Sequence, residues 1–180
     1  MGDKRISDNI EQALNDQMNN EAAQAQAYLA LGVWAEANNY TGIADFFYKH
    51  SEEERQHMFK FLEYINTRGG TAKIGAIAAP ADNPTNLKEC IEDVWQHELE
   101  NSKKIYALVD QAMAERDWAT FNFLQWFVKE QIEEEALIDG LRDKFALASE
   151  DKANNANFYS LDRDMQGASQ EGELPRQAEL

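Results

Sequence analysis

The sequence predicts an all-α fold: an antiparallel four-helix bundle with one long crossover, followed by a short fifth C-terminal helix. Three observations carry this. Four long segments repeat their apolar residues with a period of 3.6, and little between them reads as strand. The joints between the first and second segments, and between the third and fourth, are only a few residues long, so each pair forms a hairpin. The stretch over residues 70–85 (GTAKIGAIAAPADNPT) holds all but one of the prolines, and at ~3.3 Å per residue it spans ~50 Å, the length of a thirty-residue helix.

The first helix is expected from Asp8 to Ala37, with Asp8 and Glu11 as a capping box and Asn38-Asn39 as its stop. Thr41 is positioned to cap the second helix, which continues to Arg68 and halts at Gly69-Gly70. Asn86 with Glu89 opens the third, which ends near Arg116, and Asp117 caps the fourth, from Trp118 to about Ala148. Gly140 interrupts the fourth helix as a kink, as a close contact with another chain, or as a tolerated glycine. Residues 156–165 (ANFYSLDRDM) are the candidate fifth helix. The expected organisation is a bundle domain over 1–165 and a polar, mobile tail over 166–180.

Charge narrows the function. The 180 residues carry 17 Lys+Arg against 33 Asp+Glu, a formal charge of −16, which repels phosphate backbones and argues against nucleic-acid binding. Hydrophobic residues at 43% argue against a disordered acidic tail. No stretch reaches the ~18 apolar residues of a spanning helix, and the first ten residues lack an apolar signal core, so no membrane role and a cytoplasmic location are expected. Cys90 is the single cysteine, which excludes an internal disulfide and a Cys-based zinc site. Cationic partners are the natural ones.

The apolar stripes show where those cations would go. They read Ile10, Leu14, Met18, Glu21, Ala25, Tyr28, Leu29 in the first helix and Ile43, Phe47, His50, Glu54, His57, Phe61, Ile65 in the second. The third reads Leu87, Ile91, Val94, Glu98, Ile105, Leu108, and the fourth Leu124, Phe127, Gln131, Glu134, Ile138, Leu141, Phe145. Each stripe carries one glutamate within about a turn of its helix midpoint, and midpoints share one level in an antiparallel bundle. Carboxylates are almost never fully buried unless paired or metal-bound, and no basic residue sits on these stripes. Converging Glu21, Glu54, Glu98 and Glu134 therefore point to bound cations, with His57 adding a nitrogen one turn from Glu54. Solvated glutamates are the competing reading, and for Glu52 and Glu135, off the inward face, the better one. His50 is expected to be a hydrogen-bonded core or interface histidine, and His97 either a surface residue or one that supports a ligand. Oxygen-rich donors with one imidazole suit iron or manganese, and hard carboxylates favour Fe³⁺ over Fe²⁺. Glu54, between Glu21 and Glu98, suggests a bridging carboxylate and two ions. Tyr28 is either a hydrogen-bond or electron donor to the cluster or a core aromatic.

These residues resemble the prokaryotic non-haem ferritins. The matching elements are Glu21 with Tyr28, HSEEERQH (residues 50–57) with Glu53, Glu54 and His57, then Glu98, and NFLQWFVKEQIEEE (residues 122–135). The resemblance spans about residues 8–165. It implies a first iron site of Glu21, Glu54 and His57, a second framed by Glu54, Glu98, Gln131 and Glu134, and a third from Glu53, Glu130, Glu133 and Glu134, with Trp126 beside the pair. It further implies no haem, oxidation of Fe²⁺ by O₂ or H₂O₂, and ferric oxide stored in a homo-oligomeric cage of twenty-four subunits. The sequence departs from bacterioferritins and rubrerythrin-like proteins: Glu130-x-x-Glu133 stands where they carry a second Glu-x-x-His, and no Cys-x-x-Cys is present. Two other functions compete: a diiron oxidase acting on an organic substrate, which needs an apolar pocket beside the metals near Ala25 and Gly32, and a non-catalytic helical interaction module.

Overall fold

The computed structural model describes residues 3–150 and 155–171. Five helices follow in order: α1 (Asp8–Ala37), α2 (Thr41–Thr67), α3 (Leu87–Ala114), α4 (Trp118–Glu150) and α5 (Asn155–Glu171). The first four form the expected bundle, with α1 packed on α2 and α3, and α3 on α4. α5 packs on α2 and α4. It overruns the expected 156–165 at both ends, so the segment expected to open a polar tail enters this helix as far as Glu171. Residues 172–180 lie outside the described residues. None of the described helices is long and apolar enough to cross a membrane.

The caps differ from expectation at two of four starts. Ser7, not Asp8, caps α1, its hydroxyl accepting from the Ile10 amide at 3.0 Å. Glu11 is drawn away to the crossover, where it accepts from the Thr71 amide at 2.8 Å. α2 has no side-chain cap of its own, because Thr41 is already its first helical residue. Asp162 of α5 supplies the cap instead, its Oδ1 accepting from the Gly42 and Ile43 amides at 2.9 and 3.0 Å. Asn86 and Asp117 cap α3 and α4 as expected, accepting from Glu89 and Thr120 at 3.0 and 3.1 Å.

The crossover begins as an extended strand laid along α1. Thr71, Lys73 and Gly75 donate their amides to Glu11, Asn15 and Asn19 in turn. Four residues of helix rise ~6 Å and two residues of extended chain advance ~6.6 Å, so a four-residue period on the helix matches a two-residue period on the chain. Asn15 and Asn19 also donate back to the Thr71 and Lys73 carbonyls.

Two apolar clusters fill the bundle. One holds Ile10, Leu14, Met18, Phe61, Ile65, Ile105, Leu108, Leu124 and Phe127. The other is built around Tyr28, Ala35, Ile43, Phe46, Phe47, Ile91, Val94, Ile138 and Leu141. Every expected stripe crosses from one cluster to the other through a polar gap at mid-height. Three stripe positions depart from expectation, Ala25 being half-buried. Leu29 is 43% exposed because the buried edge of α1 continues through Tyr28, Gly32 and Ala35 instead. Phe145 is half-buried against Phe158 of α5.

Candidate metal centre

The gap between the two clusters is a buried polar layer. Glu21, Glu54, Glu98 and Glu134 all lie in it at 8% exposure or less, together with His50, His57, Gln131, Gln17, Asn101 and Ser102. Mid-helix position brings them there: Glu21 follows Met18 by one turn on α1, and Glu54 and His57 fall between Phe47 and Phe61 on α2. Glu98 separates Val94 from Ile105 on α3, and Gln131 and Glu134 separate Phe127 from Ile138 on α4.

Two sets of donor atoms within this layer come within 4.8 Å of one another: Glu21, Glu54 and His57, and separately His50, Glu53 and Glu134. A single ion bound at ~2.0–2.3 Å holds its ligands a little closer than that, so each set needs only a small side-chain adjustment to close on one. Among the described residues, Glu21 Oε2 and Glu134 Oε2 are buried with no hydrogen-bond partner. An orphaned buried acceptor costs ~1–3 kcal/mol, more when charged, and a cation removes that cost. Hard oxygen donors with imidazole nitrogen suit iron.

The electrostatics point the same way. Burial, then repulsion from Glu54, drives the Glu21 carboxyl well above the ordinary carboxylate range. Burial does the same to Glu54, reinforced by the charges of Glu98, Glu134 and Glu53. Glu98 is pushed up to about 7 by burial and by Glu134, against the opposing hydrogen bonds from Tyr28 and Gln131. Burial also raises Glu134, but its contact with His50 outweighs this and leaves it lowered. His50 would be lowered by burial, yet the proximity and charge of Glu134, then of Glu53, carry it up to about 9. Several of these carboxyls therefore hold protons in the metal-free protein, and a cation would replace them.

A chain of side-chain amides, of which only Gln131 stands among the expected site residues, joins Glu21 to Glu98. Gln17 donates to Glu21 at 2.6 Å and to Asn101 at 2.7 Å. Asn101 donates to Gln131 at 3.3 Å, and Gln131 donates to Glu98 Oε2 at 3.3 Å. Tyr28 donates to the other Glu98 oxygen. The signal was available: the third stripe jumps from Glu98 to Ile105, and the inward positions it skips are the polar Asn101 and Ser102. Gln17 likewise stands one turn before Glu21. Ser102 donates to Glu135, which is half-buried and not the solvated residue expected.

The remaining expected site residues lie at the edge. Glu130 Oε1 is 3.8 Å from His57 Nε2, and burial raises its carboxyl. Glu133 is exposed and pairs with Lys129 at 3.4 Å. Glu53 is half-exposed and turns to His50 at 3.9 Å, so Glu53, Glu130 and Glu133 point to different neighbours. Trp126 packs edge-on to His57, ring centres 5.3 Å apart, with Lys60 over its face. His97 is exposed, a surface residue. His50 makes the expected hydrogen bond, Nδ1 to the Phe46 carbonyl at 2.9 Å, but its Nε2, 3.5 Å from Glu134, is buried without a hydrogen-bond partner among the described residues.

Comparison with known proteins agrees with this arrangement. Residues 11–148 match the Ferritin family, described as a ferritin-like domain. The chain is 40% identical over 160 residues to a probable bacterial non-heme ferritin-like protein of Haemophilus influenzae, covering 89% of this chain and 95% of that protein. It is 40% identical over 134 residues to a bacterial non-heme ferritin of Staphylococcus aureus, covering 74% and 81%. Its fold superposes on the open pore ferritin of Archaeoglobus fulgidus with a TM-score of 0.87 at 33% identity, covering 91% of this chain and 98% of that one. With matched sequence, bundle and carboxylate layer together, the chain belongs to the ferritin-like domain family.

Proposed function

We propose that this protein is a ferroxidase that stores iron, oxidising Fe²⁺ at the buried carboxylate layer and depositing ferric oxide inside a homo-oligomeric cage. The observation that carries it is the pair of orphaned oxygens, Glu21 Oε2 and Glu134 Oε2, in a layer of four buried glutamates with no Lys or Arg among its buried residues. In this reading Glu21, Glu54 and His57 hold one Fe²⁺ and Glu54, Glu98, Gln131 and Glu134 a second, Glu54 being shared. Glu53, Glu130, Glu133 and Glu134 are the candidates for a third ion. Fe²⁺ is the substrate, and binding it releases the protons that burial keeps on Glu21, Glu54 and Glu98. Two Fe²⁺ surrender two electrons; with two protons these convert one O₂ to H₂O₂, or one H₂O₂ to two waters. Carboxylates stabilise the Fe³⁺ product more than Fe²⁺, which favours the forward direction. Tyr28 holds Glu98 in place through its hydroxyl.

The cage of twenty-four subunits and the cytoplasmic location rest on the family resemblance. Storage is favoured over oxidation of an organic substrate by the match to a bacterial non-heme ferritin over most of the chain. The test is aerobic addition of Fe²⁺ to the purified protein, followed by ferric absorbance and by the particle mass. Oxidation no faster than buffer alone, or a rate unchanged in Glu54→Ala, overturns the reading.

A further inference from the structure

We propose that His50 is a metal ligand, and that with Glu53 and Glu134 it holds the third divalent cation, between solvent and the buried pair of sites. The inference takes Glu53 and Glu134 from the third-ion set of the proposed function, adds His50 to them, and rests on that reading to this extent.

Three observations carry it. The first is the direction of the ring. His50 Nδ1 lies 2.9 Å from the Phe46 carbonyl, which can only accept, so Nδ1 carries a hydrogen and Nε2 is the nitrogen that can bind. Metal-binding histidines almost always donate their other N–H to a carbonyl or carboxylate, which sets the ring's orientation. Stacking fixes it further, with ring centres 4.0 Å from Phe46 and 5.4 Å from Tyr28.

The second is that Nε2 has been buried facing another orphan. His50 is 7% exposed, and Nε2 and Glu134 Oε2 are both buried without hydrogen-bond partners although only 3.5 Å apart. Glu53 Oε2 completes the trio at 3.9 Å from Nε2. Both separations are long for hydrogen bonds, whereas two ligands on one ion at ~2.0–2.1 Å stand ~3.0–3.5 Å apart, a spacing that Glu134 already meets and that the half-exposed Glu53 reaches by a small side-chain movement. A bound cation takes the position of the Nε2 proton and releases it.

The third is the gradient of exposure across the trio. Glu53 has 51% of its side chain in solvent, while Glu134 has 10% and belongs to the carboxylate layer. A cation held here touches solvent on one side and the layer on the other. It would pass inward by exchanging Glu53 for Glu54, the next residue on α2. An imidazole among the ligands selects Fe²⁺, Zn²⁺ or Co²⁺ over Mg²⁺ or Ca²⁺.

Zn²⁺ tests this without turnover. Crystals of the full chain soaked in Zn²⁺ and measured at the zinc absorption edge should show a peak ~2.0–2.1 Å from His50 Nε2, contacted by Glu53 and Glu134. In solution, calorimetric titration should count one Zn²⁺ fewer per chain in His50→Phe, and Glu53→Gln should weaken that same ion about tenfold or more. Glu53→Gln alters a half-exposed side chain, so it stays informative where His50→Phe fails to fold. No peak at Nε2, a peak held by Glu130 and Glu133 with Nε2 unbound, or an unchanged count in a folded His50→Phe each overturns the proposal. Peaks at Glu21–Glu54–His57 are scored separately. Their absence with the His50 peak present defeats the proposed function and leaves this site standing; the reverse result does the opposite.

Discussion

Tyr28 on α1 donates its hydroxyl to Glu98 on α3 across the polar layer, at 2.5 Å. Burial, then the charges of Glu98, Glu134 and Glu54, push the phenol well above its ordinary value, so it remains a donor throughout the physiological range. Removing it in Tyr28→Phe leaves one Glu98 oxygen without its donor and the carboxylate free to rotate. Loss of such a supporting contact costs about 10- to 100-fold in metal affinity. Calorimetric titration with Zn²⁺ should show that loss with the helical content unchanged. Unaltered affinity would reduce Tyr28 to a core aromatic, the other reading its sequence position left open.

Glu54 is the residue where folding and function oppose each other most directly. It is buried against Glu21, with Glu98, Glu134 and Glu53 adding repulsion. Glu54→Gln keeps the shape, removes the anionic ligand and avoids the cost of burying a carboxyl that folding disfavours ionising, so iron oxidation should fall to the rate of buffer while the metal-free protein becomes more stable. Each kcal/mol gained corresponds to a rise in Tm of about 2–4 °C for a chain of this size. Thermal unfolding of the metal-free variant beside the parent checks the sign. A lower Tm would mean that Glu54 is stabilised in place by contacts other than a cation.

The bundle and its acidic layer were legible because both are periodic. Ile43, Phe47, Glu54, His57 and Phe61 repeat on one face of α2, and a carboxylate inside that repeat stands out against apolar neighbours. What lay hidden depends on contacts between elements, which periodicity does not encode. Asp162 is a plain exposed-type residue in a polar segment, and nothing local announces that it caps α2 from 120 residues away. Gln17 and Asn101 are uncharged, so they raise no desolvation alarm, although together with Gln131 they join Glu21 to Glu98. His50 reads from its own helix as a hydrogen-bonded core histidine; the carboxylate nearest its Nε2, Glu134, is on another helix. Gly140 has no structural explanation among the described residues, none of which lies within 4 Å of where its Cβ would be.

The carboxyl shifts fix a pH dependence. Glu98 titrates near 4.5 in the unfolded chain and at about 7 in the folded one. Between these values the folded state binds more protons, so metal-free stability falls as pH rises through this window. Below about 4.5 the contribution is fully present, and above about 7 it is lost, amounting to roughly 3 kcal/mol for Glu98. Glu21 and Glu54 are raised for the same reason and add to the trend. Denaturant midpoints between pH 4.5 and 7.5 should decline for the metal-free protein and flatten when saturating Zn²⁺ replaces the protons. A metal-free midpoint that rises across this range would contradict the buried, protonated state of these carboxyls.

The cap that α5 lends to α2 is separable from the metal layer, since Asp162 reaches the first turn of α2 and His50 lies two turns further on. Its carboxylate takes two amides that no side chain of α2 satisfies, and its charge meets the positive end of the helix dipole. Asp162→Ala should therefore cost about 1–2 kcal/mol and speed hydrogen exchange at the Gly42 and Ile43 amides. Asp162→Asn keeps an acceptor and loses only the charge, so it should recover most of that loss. Exchange at Glu54 and His57 and the rate of Fe²⁺ oxidation should stay at parental values in both. Equal protection at Gly42 and Ile43 in parent and Asp162→Ala would show that α5 does not hold the start of α2 in solution.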